Sequence, residues 1–255
     1  LVQSTNFRLN EFRFRIELFA CGLKTIEHIH LNRLSEGQWL TYIESLVYDP
    51  AYLRPLGKAL KQRLASSQKI TVECGHHRLV FDGPVEEAKL NVGDYTGMQN
   101  VGGTFPIGEV FTELQDLSKS NGELLIYSFA SKDHMVQIHE PFLAMVKDGV
   151  LVDAPDAPAD FKEVLELIRA QERVLVREVG FGLNPAMDRY RVVNDITAYE
   201  RQTGLHLSLG EKHGVYKKPG LEPGKTRFHV DIFVAADRIR IDDEVVFEGG
   251  KFLAG

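Results

Sequence analysis

The distribution of hydrophobic and polar positions divides the chain into a first part with helical periods and a longer part with strand-like patterns. In the first part, apolar residues recur every three to four positions, and one short alternating segment interrupts them. Pro50 and Pro55 predict breaks in the second helical run, because proline lacks the N–H group that a helix interior needs. The elements predicted here are a helix over 7–20, a strand over 25–31 and helices over 36–65. We therefore expect a short N-terminal α/β segment over residues 1–67.

Beyond residue 67, short apolar runs alternate with Gly, Asn and Asp, which is typical of strands joined by turns. A helical period returns within 154–172 and within 188–204, where the predicted helix ends at Gly204. A glycine-rich stretch over 89–105 predicts an irregular loop near a site. The strands predicted in this part lie within 69–74, 77–81, 109–113, 123–130, 173–179, 205–209, 227–235 and 239–253. The predicted fold class is α+β, with a β-rich domain over 68–255.

The composition is that of an ordinary globular protein. Of 255 residues, 44% are hydrophobic and 26% are charged, which excludes disordered, collagen-like and disulfide-scaffold chains. Thirty basic residues stand against 36 acidic ones, a net charge of −6, and this balance disfavours nucleic acid and anionic membrane surfaces as partners. The apolar runs fall short of the roughly 18 residues of a membrane span. With two cysteines and no C-x-x-C motif, we expect a reduced, cytoplasmic protein.

Histidines in the β-rich part are candidate metal ligands. His229 and Asp231 occupy alternate positions of a predicted strand, so their side chains point to the same face. An imidazole nitrogen and a carboxylate oxygen side by side can hold a divalent metal. His206 points away from the leucines of its own strand, and His213 follows in a loop. For each histidine the alternative is a structural or surface role, which the pattern leaves open.

Three glutamates extend this set of candidates. Glu178 ends a predicted strand whose same face carries valines, and a buried carboxylate is costly unless a cation or a metal compensates its charge. The alternative is that Glu178 lies at the solvent-exposed end of that strand. Glu109 and Glu113 follow a glycine-rich loop and share one strand face, where plain exposure is the alternative. The candidates are more informative together than singly, because all lie on or beside strands of one region.

Four segments of the chain carry a resemblance to a known family. They are FPIGEVFTELQDLSKSNG (105–122), REVGFGLNP (177–185), ERQTGLHLSLG (200–210) and FHVD (228–231). Their order and spacing resemble those of metallopeptidases of the aminopeptidase T and aminopeptidase S type. The similarity covers residues 90–235 well and the first 90 residues more loosely. Members of that family carry a larger N-terminal α/β domain, so we expect this chain, which opens on Leu1, to be a shortened or trimmed relative.

The resemblance implies a site with two divalent metal ions, for which zinc, cobalt and manganese are all compatible. The implied metal ligands are Glu109, Glu178, His206, His229 and Asp231. Such a site activates water for attack on a peptide bond, and we expect Glu178 or Glu113 to carry the proton to the leaving amine. Where the family has a tyrosine at the site, this chain has His213, and a phenol differs from an imidazole in acidity and metal affinity. The family also suggests a homodimer.

A ring-opening dioxygenase of dihydroxypyridine catabolism uses the same scaffold and binds one iron through two histidines and an aspartate. His229 and Asp231 fit such a triad, but its third ligand should be a histidine near Glu178, and this glutamate favours the carboxylate-rich site. The predicted function is a metal-dependent, aminopeptidase-like hydrolase acting on a peptide or a small molecule. The alternatives are an Fe(II) dioxygenase acting on a dihydroxylated N-heteroaromatic and a divergent metal-binding protein without peptidase activity.

Overall fold

Strands make up most of the regular structure. The computed structural model describes residues 2–3, 18, 20–23, 25–28, 31–97, 102–133, 135–222 and 224–253, so most of the helix predicted over 7–20 lies outside the described residues. The strands, in chain order, are β1 (Val2–Gln3), β2 (Thr25–His28), β3 (Lys69–Cys74), β4 (His77–Asp82), β5 (Lys89–Asn91), β6 (Gly102–Thr104), β7 (Glu109–Glu113), β8 (Ser120–Ala130), β9 (Val136–Lys147), β10 (Val150–Asp153), β11 (Val176–Gly182), β12 (Gly204–Leu209), β13 (Val230–Val234), β14 (Arg238–Ile241), β15 (Glu244–Glu248) and β16 (Lys251–Phe252). The α-helices are α1 (Trp39–Ser45), α2 (Pro50–Ser66), α3 (Ala159–Arg169) and α4 (Ile196–Tyr199).

The described strands form a large antiparallel sheet and a small parallel one. The large sheet has 13 strands, of which eleven run in the order β16-β15-β14-β3-β4-β8-β13-β12-β11-β7-β5, while β9 pairs with β8 and β10. The small sheet joins β1, β2 and β6. Because most of the regular structure is strand and few helices accompany it, the fold is broadly α+β. The α/β character of the first 67 residues and the domain boundary after them stay predictions.

Helix α2 begins where the sequence predicts a break and continues through a second proline. Asp49 caps it by accepting hydrogen bonds from the N–H groups of Ala51 and Tyr52, at 2.9 and 3.2 Å. Pro50 occupies the first turn, where its missing N–H group costs nothing. The break predicted at Pro55 is wrong: an internal proline costs about 3 kcal/mol, and burial of one apolar helix face outweighs that cost. That face consists of Leu53, Leu56, Gly57, Leu60 and Leu64.

One face of the central strands is apolar and covered by helices. Residues directly opposite each other on neighbouring strands point to the same face. Val179, Leu207 and Ile232 form such a row across β11, β12 and β13, and all are fully buried. Phe129 of β8 continues the row, and Phe161 of α3 packs against it with ring centroids 4.9 Å apart. Helix α2 packs against β5 and β7. The buried histidine, serine and carboxylate side chains of β11, β12 and β13 therefore lie on the opposite face.

Helix α4 is shorter than predicted. It ends at Tyr199, whereas the sequence predicts its end at Gly204. The N–H groups of Arg201 and Gln202 donate to the carbonyl oxygens of Ala198 and Tyr199, three residues back rather than four, at 3.2 and 2.9 Å. The chain thus leaves the α-helical hydrogen-bond pattern after Tyr199 and tightens into turns. The turn that follows α4 leads the chain directly into β12.

Candidate metal centre

Buried polar side chains line the second face of β7, β11, β12 and β13, which are consecutive neighbours in the sheet. The pairs that oppose each other across these strands are Glu113 with Glu178, Gly180 with His206, and Ser208 with Asp231. Since alternate residues of a strand share a face, Glu109 lies on the same side as Glu113. Strand β11 spans Val176–Gly182 rather than 173–179, which moves Glu178 from the predicted strand end into the strand.

Glu109, Glu178 and His206 form the centre of this line. Their ligand atoms all lie within 4.8 Å of one another. The Nε2 atom of His206 is 3.4 Å from the Oε1 atoms of both Glu109 and Glu178. All three side chains are buried, with His206 at 0% exposure. One imidazole nitrogen and two carboxylate oxygens thus converge on one point inside the protein.

Gly180 makes room for this convergence. A Cβ atom at Gly180 would lie 2.1 Å from Nε2 of His206, a separation that real Cβ atoms do not show. The imidazole ring of His206 therefore lies over the backbone of β11, between the two carboxylates. A glycine at this position is required by the packing of the ring and not by the backbone conformation. The donor set, the burial and this cradle all fit a small divalent cation.

Each carboxylate has its second oxygen engaged by a neighbouring side chain. Oε2 of Glu109 lies 3.2 Å from Nη2 of Arg201. Oε2 of Glu178 lies 2.7 Å from Nε2 of His213. The Oε1 atoms of both glutamates, here called the inner oxygens, therefore face His206. Their Oε2 atoms, the outer oxygens, are bound by Arg201 and His213.

The hydrogen bonds of His213 fix which nitrogen carries the hydrogen. Its Nδ1 atom accepts from the backbone N–H groups of Val215 and Tyr216, at 3.1 and 3.2 Å. A neutral imidazole with an accepting Nδ1 must carry its hydrogen on Nε2. His213 is thus a hydrogen-bond donor to Glu178, and its side chain is only 1% exposed.

His229 and Asp231 form a second pair on the same face. Nε2 of His229 lies 3.2 Å from Oδ1 of Asp231. Nδ1 of His229 lies 3.0 Å from the carbonyl oxygen of Lys212 and must donate to it, because a carbonyl only accepts. Such a bond to a backbone carbonyl is the usual way in which a metal-binding histidine is oriented. The ring of His229 is 5.6 Å from that of His213, which places this pair beside the first three residues.

Electrostatic interactions at the centre favour the protonated form of His206 between the two carboxylates. Burial lowers the pKa of His206, but hydrogen bonds with Glu109 and Glu178 and the charges of both outweigh it and raise the pKa to about 10. Burial by itself raises the pKa of Glu178, yet hydrogen bonds from His206 and His213 outweigh it and hold that pKa well below its ordinary value. In the absence of a metal ion, a proton on His206 therefore neutralises part of the carboxylate charge.

Glu113 lies on the same strand face but in a different set of contacts. Arg177 binds it with two hydrogen bonds, from Nε at 3.0 Å and from Nη2 at 2.8 Å. Lys218 adds a second cation 3.4 Å from the same carboxylate. Strand β11 carries a bulge between Val176 and Val179, which turns Arg177 towards Glu113 while Glu178 keeps its place at the centre.

Comparisons with known proteins find similarity at the level of the fold and not of the sequence. No family model matches the chain, and no curated protein matches its sequence. The chain is similar in structure to 2,5-dihydroxypyridine dioxygenase from Pseudomonas putida KT2440, with a TM-score of 0.67 and 16% identity over 94% of this chain and 68% of that one. It is also similar to wild-type AmpT from Thermus thermophilus, with a TM-score of 0.58 and 15% identity over 84% of this chain and 58% of that one. The chain shares their fold. The described structure thus supports a distant relation to the dihydroxypyridine dioxygenase and to AmpT.

The structure brings most predicted site residues together. Glu109, Glu178 and His206 share one centre, His213 contacts Glu178, and the pair of His229 and Asp231 lies beside them. Their assignment as metal ligands or catalytic residues stays a prediction. Sequence reasoning missed the cations of the site. These are Arg177, Arg201 and Lys218. Nothing in the local pattern distinguishes these buried cations from the many exposed ones.

Two further features concern the chain as a whole. None of the helices in the described part combines the length and the apolar character that a membrane crossing needs. Both cysteines are free: Cys21 is exposed and Cys74 is buried.

Proposed function

We propose that the protein is a metal-dependent hydrolase of the aminopeptidase type, whose substrate is a peptide or a related small amide. The observation that carries the proposal is the buried convergence of Glu109, Glu178 and His206 on one point. Two carboxylates and one imidazole form an oxygen-rich donor set that suits Zn²⁺, Co²⁺ or Mn²⁺. The structural likeness to the aminopeptidase AmpT supports this direction.

A divalent ion at this centre supplies Lewis acidity, which polarises a carbonyl group and makes water a stronger acid. Glu109, Glu178 and His206 would hold it. His213 keeps a hydrogen on Nε2 at the edge of the centre and holds Glu178 in place. His229 and Asp231 offer a second pair of donor atoms, which would serve either a second ion or the orientation of a substrate.

The surroundings of Glu113 favour a structural role over the proton transfer that the sequence suggested. Its carboxylate is bound by Arg177 through two hydrogen bonds and approached by Lys218. Both of its oxygens already accept hydrogen bonds from Arg177, so the carboxylate is committed to these contacts. The catalytic role of Glu113 stays a prediction.

A second candidate function is an iron-dependent ring-opening dioxygenase. It is favoured by the likeness to 2,5-dihydroxypyridine dioxygenase, which extends over 94% of this chain. His229 and Asp231 supply two of the three ligands of a two-histidine, one-carboxylate iron site. The neighbouring centre, however, contains two glutamates and one histidine, and this composition favours the hydrolase.

Glu109→Gln is the first test of the site. The substitution keeps the shape of the side chain but removes the negative charge, so we expect the protein, purified without added metal, to lose a bound divalent ion by elemental analysis. The matched control is Glu163→Gln, which changes an exposed glutamate on α3 and should leave the metal content unchanged. Equal metal content in Glu109→Gln and wild type would show that the site is assigned wrongly.

Substrate assays then separate the two enzymes. Amino-acid anilides should release their amine in the presence of wild-type protein and its bound ion, and Glu109→Gln should lose this activity. Oxygen-dependent ring opening of a dihydroxylated N-heteroaromatic by protein containing iron would favour the dioxygenase instead. A bound ion without either activity would indicate the third alternative, a metal-binding protein that cleaves no peptide.

A further inference from the structure

We infer that Arg201 and His213 are positioning residues that engage the outer oxygens of Glu109 and Glu178, so that each carboxylate gives one oxygen to one ion and neither carboxylate bridges two ions. The inference rests on the proposed metal centre and deepens it. It differs from a two-metal site in which one carboxylate bridges both ions.

Arg201 is fixed independently of the ion. Besides Glu109, its guanidinium donates to the carbonyl oxygen of Thr197 at 3.0 Å and contacts the carboxylate of Glu200. The backbone that carries it crosses β11 so closely that a Cβ atom at Gly182 would lie 1.9 Å from the carbonyl oxygen of Gln202. A guanidinium keeps its charge at every pH that proteins tolerate. Oε2 of Glu109 therefore faces a permanent cation held by its own contacts.

His213 is fixed as a donor rather than as a metal ligand. Two backbone N–H groups donate to Nδ1, so Nε2 carries the hydrogen and points it at Oε2 of Glu178 over 2.7 Å. Ligation of a metal through Nε2 requires an unprotonated lone pair there. That would break the bond to Glu178 and leave both nitrogens of the ring without a hydrogen.

The consequence is that each glutamate has one oxygen left for an ion at the centre. The two inner oxygens each lie 3.4 Å from Nε2 of His206, whereas the two outer oxygens face Arg201 and His213. A carboxylate that bridges two ions through both of its oxygens gives one oxygen to each ion, and here the second oxygen of each glutamate is already engaged. An ion among Glu109, Glu178 and His206 should therefore share neither carboxylate in this way with an ion at the pair of His229 and Asp231.

The test is titration with Mn²⁺, followed by calorimetry and electron paramagnetic resonance. Wild type should show no exchange-coupled Mn²⁺ pair at any metal ratio, and Asp231→Asn should still bind one Mn²⁺ at the centre, with an affinity reduced by the loss of one nearby negative charge. An exchange-coupled pair spectrum, or loss of all binding in Asp231→Asn, would overturn the inference while leaving a metal site in place. No Mn²⁺ binding by wild type would overturn the proposed function together with it.

The test of positioning compares Arg201→Met with Arg201→Lys. Removal of a group that orients a metal ligand typically weakens metal binding by about 10- to 100-fold, so we expect that loss in Arg201→Met and a partial recovery in Arg201→Lys. Thermal unfolding of the metal-free variants separates this effect from a general loss of structure. Unchanged Mn²⁺ affinity in a folded Arg201→Met variant would contradict the positioning role.

The tautomer of His213 can be measured directly. Nitrogen NMR of the imidazole rings should show the hydrogen of His213 on Nε2, both in the metal-free protein and after addition of diamagnetic Zn²⁺. The resonances of His206 should shift on Zn²⁺ addition and serve as the internal control. A metal-bound Nε2 at His213 would show that this residue is a ligand and would overturn the inference.

Discussion

At the scale of single residues, a proton and a metal ion compete for the same place. His206 lies between Glu109 and Glu178, whose hydrogen bonds and charges outweigh burial and raise its pKa to about 10. An unpaired carboxylate pair would be costly in the interior, so the protonated imidazole compensates it in the metal-free protein. A divalent cation would compensate the same charges more fully. The residues around the centre are therefore suited to bind a divalent cation in place of the proton on His206.

Metal affinity should accordingly rise with pH. Below pH 10 His206 carries a proton that the ion must displace, so Mn²⁺ affinity should increase by about tenfold per pH unit between pH 7 and 9. Calorimetric titrations at three pH values, repeated in buffers of different ionisation enthalpy, measure both the Kd and the number of protons released. A constant Kd with no proton release would mean that His206 is not a ligand.

At the scale of elements, the register of four strands decides which charges meet. The alternation of residues in β7 puts Glu109 and Glu113 on one face, and pairing with β11 sets Glu113 opposite Glu178. The bulge in β11 then gives Glu113 to Arg177 and leaves Glu178 to His206. Glu113 and Glu178, which oppose each other on neighbouring strands, thereby acquire different surroundings: Glu113 is bound by Arg177 and Lys218, and Glu178 lies beside the imidazole of His206.

Arg177→Met should destabilise the protein without removing the metal. It leaves the buried carboxylate of Glu113 with Lys218 alone, so we expect the free energy of unfolding to fall by about 3 kcal/mol in urea titrations. Arg169→Met, which breaks an exposed pair with Glu166 on α3, is the control and should cost less than about 1 kcal/mol. Loss of the ion from a stable Arg177→Met variant would instead indicate that Glu113 contributes to metal binding.

At the scale of the whole molecule, the large sheet separates two kinds of interior. Its apolar face is covered by α2 and α3, and its polar face carries the charged centre. Strands distant in sequence contribute to that centre, so an ion bound there joins β7, β11 and β12 directly. Binding of the ion should therefore stabilise the folded chain as a unit.

Added metal should raise the unfolding temperature. An ion that binds only the folded state stabilises it by about 2.7 kcal/mol at a concentration of 100 times its Kd. For a chain of this size that corresponds to a rise in Tm of roughly 5–10 °C. Differential scanning calorimetry with and without Mn²⁺ measures it. Glu109→Gln should show no rise, and an equal rise in that variant would place the stabilising ion elsewhere.

Local signals in the sequence were sufficient where the deciding interaction is local. The break predicted at Pro50 is confirmed, because the cap by Asp49 and a first-turn proline act within one turn of helix. The two strands predicted over 69–74 and 77–81 are confirmed as the β3–β4 hairpin, which turns at Gly75. The break predicted at Pro55 was wrong, because burial of a helix face outweighs the local penalty of a proline. The predicted end of α4 was wrong because the N–H groups of Arg201 and Gln202 bond three residues back, where the chain turns towards β12.

The sequence by itself determined the strand alternation, the α+β class and the residue types that could hold a metal, since all of these follow from periods of two or three to four residues. The tertiary structure decided which of those residues meet. Glu178 and His206 are 28 positions apart and Glu113 and Arg177 are 64 apart, and only strand register and a bulge bring such pairs into contact. The tertiary structure also supplied the buried cations, because a sequence pattern records where a charge occurs but not which oxygen it will face.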